Sequence, residues 1–313
     1  MRFSDKANIL WTQQFQQLSV MIDAGLTIEN SLKTLKGSFK EVDKGLFQVI
    51  RFVQRGISLS DALFKASIIN DIDHATLSIA EKAGKLPRGL QFIAKRKSRW
   101  HQRIKSFKAA LWMPKLILIV GGFAGLFVRV FAADQDILVA VQSIAVTLFF
   151  CWLFIEGSVW LLQRDSLIWL SLGWRLVFLR KGYVTYQLLF EHTFYRLLTW
   201  QIAAGIAPDL AFKNLKTLLS ANTYQRSISS VGVSIGGGAN LVNCLSEAGF
   251  VLTQPLRRVM QTSLQAGTWE AAVIHHLDWQ QQVLSQKADD FFKWLPKLYY
   301  VLALLAIGRF MFI

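Results

Sequence analysis

Cysteine is almost missing: Cys151 and Cys244 are the only two in 313 residues. One lies in an apolar run and the other in a segment of mixed polarity, so they cannot pair and no disulfide framework follows. Phosphate-cradling loops are missing too. The one run of three glycines, Gly236-Gly237-Gly238, is followed by no Gly-Lys-Ser/Thr and preceded by no strand, and it reads as an interhelical turn. His275 and His276 are neighbours on different sides of a helix rather than an i, i+4 metal pair, and no Cys or acid completes a set around them. No catalytic, cofactor-binding or metal-ligating residue emerges, and the chain reads as a non-enzyme. No window alternates with a period of two, so strands are not expected. The opening residues MRFSDKANILW lack the pattern of a cleavable leader, so membrane insertion would rely on internal segments. Acid is also scarce, with 20 Asp and Glu against 35 Lys and Arg, a net charge of +15.

What the chain has in excess is apolar. Hydrophobic residues make up 53%, with 11 Trp and 23 Phe, and only 18% are charged, more apolar surface than one soluble domain of this size needs. The surplus is concentrated in residues 115–133 (KLILIVGGFAGLFVRVFAA) and 137–163 (ILVAVQSIAVTLFFCWLFIEGSVWLLQ). At about 1.5 Å of rise per residue, roughly 20 residues cross a hydrocarbon core of about 30 Å, so each run can span a bilayer. A third run, residues 295–313, closes the chain and is just long enough to span. Lys95, Arg96, Lys97, Arg99, Arg103, Lys105 and Lys108 precede the first run with no acid among them, whereas Asp134 and Asp136 connect the first two. The positive-inside rule then puts the N-terminus in the cytoplasm and the C-terminus outside, with three crossings. Such a polybasic stretch also attracts anionic lipids. Within the spans, Arg129 and Arg309 stand near the outer ends, where they can snorkel, and Glu156 near the inner end.

Between the spans the chain repeats itself. Residues 15–26 align with 195–206, Gly56 to Leu63 with Gly238 to Leu245, and Ala83-Gly84-Lys85-Leu86 with Ala266-Gly267-Thr268-Trp269. Each copy closes on a shared signature, Trp112 to Leu116 (WMPKL, with Pro114) and Trp294 to Leu298 (WLPKL, with Pro296). Four anchors in one order, with the offset drifting only from 180 to 183, identify two copies of one module. Inside a copy the period is helical: Trp11, Phe15, Leu18 and Ile22 share a helix face, Gly25 and Gly205 stop helices, and Thr27 or Glu29 and then Pro208-Asp209 restart them. Each copy reads as about six short helices. The plan is all-α: a cytoplasmic module over 1–110, two transmembrane helices and a short acidic periplasmic turn over 111–163, a connector over 164–190, a second cytoplasmic module over 191–293 and a third transmembrane helix over 294–313. The connector, with Trp169, Trp174, Phe178, Tyr183 and Tyr186 among Arg and Lys, fits either a helix at the headgroup level or a buried linker.

A duplicated helical module with these motifs, two spans after the first copy and one after the second, resembles the type II secretion F family, the inner-membrane platform proteins of type II secretion systems, type IV pili and competence pseudopili. The resemblance runs from about residue 8 to the C-terminus. It implies two homologous cytoplasmic six-helix bundles, a homo-oligomer in the bacterial inner membrane, and the family-motif positions Gly25, Gly56, Glu81, Gly84, Gly205, Gly238 and Gly267. Glu81 falls in Ala80-Glu81-Lys82-Ala83-Gly84, and the second copy has Leu264 in its place. Its local role would be a hydrogen bond steadying the turn before Gly84. Set against that family, the chain would be shorter than many members, without their N-terminal extension before the first module. The partners implied are a cytoplasmic hexameric assembly ATPase, pilins or pseudopilins whose extraction from the membrane it would drive, and other inner-membrane assembly proteins. Two other readings stand beside it. A small transporter would make Glu156 essential, and a membrane-tethered nucleic-acid-binding protein would use residues 95–108 with Trp100 and Phe107. Neither accounts for the duplication.

Overall fold

The computed structural model describes residues 5–131, 136–163, 181–218, 225–237, 239–248, 250 and 253–312. Among them are fourteen helices and no strand. The first six are α1 (Asp5–Asp23), α2 (Ile28–Leu35), α3 (Lys40–Gln54), α4 (Leu59–Lys65), α5 (Asp71–Lys82) and α6 (Leu86–Ala110). Two long apolar helices follow, α7 (Trp112–Phe131) and α8 (Ile137–Gln163). The rest are α9 (Lys181–Ala203), α10 (Pro208–Leu218), α11 (Gln225–Gly236), α12 (Leu241–Glu247), α13 (Gln254–Ala266) and α14 (Trp269–Phe312). Side-chain caps start the short helices: Thr27 accepts from Asn30 N at 3.3 Å, Ser58 from Asp61 N at 3.2 Å and Asn70 from Asp73 N at 2.8 Å. Glycines stop them. Gly25, Gly56, Gly84, Gly205 and Gly267 have φ of +90°, +79°, +64°, +78° and +67°, a conformation that costs a residue with a Cβ. Gly238 and most of the 164–190 connector lie outside the described residues.

The chain folds as two compact units, residues 1–99 with 185–282, and residues 100–184 with 283–313. In the first unit, Trp11, Phe15 and Leu18 of α1 meet Leu32, Leu46, Leu63 and Leu90 in one core. A second core gathers Phe194, Trp200, Phe212, Leu245, Met260 and Leu277, and it also takes in Ile79, Ala80, Ala83 and Phe92 from the first half of the chain. Phe92 meets Trp200 edge-on at 6.3 Å, and the Arg196 guanidinium lies 4.8 Å over the Phe92 ring. At the rim of this seam Lys85 and Arg88 both reach Glu270, at 2.9 and 2.8 Å. Within this unit the two halves therefore complete one another.

In the second unit, α7 and α8 run antiparallel and are tied at both ends. Lys115 Nζ bonds Glu156 Oε1 at 2.5 Å, and Arg129 donates to Ser143 Oγ at 2.5 Å. Between the ties the helices approach through Gly122, where an added Cβ would stand 3.0 Å from Leu148 Cδ1. The end of α14 joins them. Phe107, Leu118, Ile155, Phe292, Tyr299 and Ala303 form one cluster, and Ile307 covers Gly121 so closely that a Cβ there would lie 2.3 Å from it. Because 107 pairs with 292 and 121 with 307, the C-terminal stretch of α14 runs parallel to α7.

The sequence expectation that Arg129 snorkels outward is corrected: it is only 8% exposed and bonded to the neighbouring helix, because an arginine facing a helix partner finds an acceptor without leaving the apolar layer. The side chain of Arg309 lies outside the described residues. Residues 86–131 and 137–159 are long and apolar enough to cross a membrane. Their outward side chains are apolar as well, with Leu138 at 84%, Phe131 at 75% and Phe123 at 71% exposure. A core helix of a soluble protein would bury such residues, so this surface fits a membrane protein.

Candidate functional site

The family-motif residues of the first half interlock around the start of α4. Gly56 turns the chain, Ser58 caps the helix, and the Glu81 carboxylate accepts from Leu59 N at 2.9 Å, Ser60 N at 3.1 Å and Ser60 Oγ at 2.7 Å. A carboxylate at a helix N-terminus satisfies amide donors that have no partner in the helix and sits favourably in the helix dipole. This differs from the expected bond beside Gly84: the carboxylate reaches 21 residues back along the chain. The second half does without it. Asn240 caps α12 by accepting from Val242 N at 3.0 Å, and Leu264, the aligned residue, is 40% exposed. On the far side of α4, Asp61 bonds His74 Nε2 at 2.8 Å and Phe64 stacks on the His74 ring at 4.5 Å. The hydrogen bond from His74 holds the Asp61 carboxyl below its ordinary pKa. Replacing Glu81 with alanine leaves three donors without their acceptor and should cost about 2 kcal/mol, read as a lower midpoint in thermal unfolding of the detergent-solubilised chain. Leu264→Ala should leave it nearly unchanged.

The basic stretch of α6 is less free than its sequence suggests. Arg96 and Lys97 both pair with Asp73, which is fully buried; Lys97 Nζ stands 3.1 Å from Asp73 Oδ2. Arg103 bonds Asp289 at 2.6 Å and the Ser285 carbonyl at 3.0 Å. Lys95, Lys105 and Lys108 are exposed. Lys95 and Arg99, with Gln16, Gln91, Ser98 and Asp278, line an open cleft of about 480 Å³. The seven cations are thus divided between internal ion pairs and surface, a division that residue spacing did not reveal because the acids lie 23 and 186 positions away.

Sequence reasoning missed His192. It is 4% exposed and its Nε2 donates to the Leu277 carbonyl at 2.7 Å. Burial, with the Arg196 guanidinium beside it, pushes its imidazole down to about 4. The unfolded chain therefore binds this proton more readily, and the stability held at neutral pH should fall by roughly 3 kcal/mol as pH drops from about 6.5 through 4. The His192→Gln chain should lack that component of the acid loss in thermal unfolding followed against pH.

Gly25, Gly56, Gly84, Gly205 and Gly267 stand in interhelical turns, Pro114 in the first turn of α7, where its missing N–H costs nothing, and Pro296 inside α14. Among the described residues no three His, Cys, Asp or Glu side chains gather as a metal site. Residues 15–132 match the family model described as Type II secretion system (T2SS), protein F. This stretch includes Gly25, Gly56, Glu81, Gly84, Pro114 and the whole basic part of α6, and it runs through α7. No curated protein matches the chain.

Proposed function

We propose that the chain is an inner-membrane platform protein for a type IV pilus or a type II secretion pseudopilus, coupling a cytoplasmic assembly ATPase to the extraction of pilin subunits from the membrane. The observation that carries this is the family match over residues 15–132. The second half supports it: α9 to α14 follow the order of α1 to α6, with a seven-residue helix at the fourth place in each series. The same family reading makes the end of α14 a third transmembrane helix, supported by its parallel packing on α7 through Gly121 and Ile307. Residues 1–110 and 191–293 then face the cytoplasm, the C-terminus faces the periplasm, and the chain assembles as a homo-oligomer. The exposed apolar faces of α7 and α8 meet lipid and the apolar helices of pilins. A nucleic-acid role for residues 95–108 is disfavoured because Arg96, Lys97 and Arg103 are engaged by acids within the chain.

The test is co-purification of an assembly ATPase from the same organism with the intact chain in detergent, together with filament or secretion assays in a deletion strain. Undiminished ATPase recovery with a chain lacking both 1–110 and 191–293 would sink the coupling role.

A further inference from the structure

Helix α3 carries its own surface. Its buried face, Val42, Leu46, Val49 and Ile50, is committed to the core. Its outer face sets Lys40, Lys44, Phe47, Arg51 and Arg55 at i, i+4, i+7, i+11 and i+15, one stripe of about 22 Å at helical rise. In its centre Phe47 is 49% exposed, with Lys36 Nζ 5.6 Å and Arg51 Cζ 6.0 Å from the ring centroid. No acid pairs with any of these five cations among the described residues.

A charged outer face is ordinarily just a solvated one, and the second copy separates that explanation from a functional one. Aligned at Gly56 and Gly238, the centre of the core face persists, with Leu46 and Val49 answered by the buried Ile228 and Val231, while Val42 and Ile50 at its ends are answered by Tyr224 and Gly232. The outer positions do not: Phe47, Arg51 and Arg55 are answered by Ser229, Val233 and Gly237, and Lys44 alone has a basic counterpart in Arg226. The second copy thus keeps the apolar centre of the inner face and does without the basic-aromatic outer one.

We infer that the α3 stripe is a docking surface for an acidic protein partner, with Phe47 as the aromatic anchor and the cations setting register. An aromatic flanked by arginine, ringed by charge, is the composition of an interface centre. Asp43, on the same helix, puts an acid beside the stripe, its Oδ1 accepting from Gly37 N at 3.0 Å. That carboxylate repels a uniform polyanion such as a nucleic-acid backbone or an anionic bilayer, whereas a protein surface of mixed charge accommodates it. Under the function proposed above, on which this inference rests, the partner is the assembly ATPase.

The experiment uses the full chain in detergent with the purified ATPase, comparing wild type, Phe47→Ala, a Lys40→Glu/Lys44→Glu pair and, as a surface control, Arg257→Glu/Arg258→Glu. The acidic pair sits at the start of α3, where carboxylates suit the helix dipole, and the core face is untouched, so the variants should keep the wild-type melting curve. Phe47→Ala and the acidic pair should each weaken ATPase binding tenfold or more, and binding should fall as salt rises, with the control unchanged. Full ATPase binding by both stripe variants, lost only on removing residues 1–110 and 191–293, would overturn the stripe and leave the coupling role standing. Absence of ATPase binding by wild type would overturn both. Stripe-dependent binding of duplex DNA or of anionic phosphatidylglycerol vesicles, with ATPase binding intact, would also overturn the inference and reassign the surface.

Discussion

Replacing Arg96 and Lys97 together with alanine should cost about 3–5 kcal/mol of folding stability, enough to leave little of the chain folded at physiological temperature. The cause is Asp73. Its carboxylate has no exposed surface, and these two cations are its charge partners, so their removal strands an ion in a medium that cannot solvate it. Adding Asp73→Asn to the double variant should recover a large part of the loss, because an amide is far cheaper to bury than an unpaired carboxylate. Lys105→Glu with Lys108→Glu, at exposed positions nearer the apolar run, should leave the unfolding midpoint near wild type while shifting the orientation of α7 in protease-accessibility assays. If the two pairs behaved alike in both assays, the division of α6 into internal and surface cations would be wrong.

Trp200→Ala should be nearly as costly, about 3–5 kcal/mol, since it empties a site in which the indole is 2% exposed and meets Phe92 edge-on. The position aligned with it in the first half, Val20, is 64% exposed, so Val20→Ala should change the unfolding midpoint little. A double-mutant cycle between Trp200→Ala and Phe92→Ala should return a coupling of roughly 1 kcal/mol, the share of the aromatic contact beyond burial. Zero coupling in that cycle would mean that the halves do not meet through these rings.

The parts of this fold that can be read from sequence are those with local causes. Thr27, Ser58 and the stop at Gly25 act within one helical turn, and their residue types announce them. The apolar character of α7 and α8 announces itself likewise. Glu81 was visible as a motif residue, but its task at the start of α4 was not, because a carboxylate bonding 21 residues away leaves no periodic trace. Arg96, Lys97 and Arg103 were read as one basic cluster because acids that neutralise them come from α5 and α14. Arg129 was assigned to the membrane edge because Ser143, its acceptor, is too weakly polar to stand out in an apolar run. His192 gave no signal at all: a buried histidine bonded to a carbonyl has the same sequence context as an exposed one.

The sharing of one core by distant parts of the chain also sets a timetable. Phe92 leaves the ribosome 108 residues ahead of Trp200, and Lys85 precedes Glu270 by 185. At about 5–20 residues per second, the face formed by Ile79, Ala80, Ala83 and Phe92 waits roughly 5–20 seconds for its cover while two apolar helices are being synthesised. During that interval the nascent chain presents an open apolar surface. Slowing synthesis between residues 100 and 190 should prolong that exposure, and with it the chain's dependence on chaperones, without altering any contact in the finished protein.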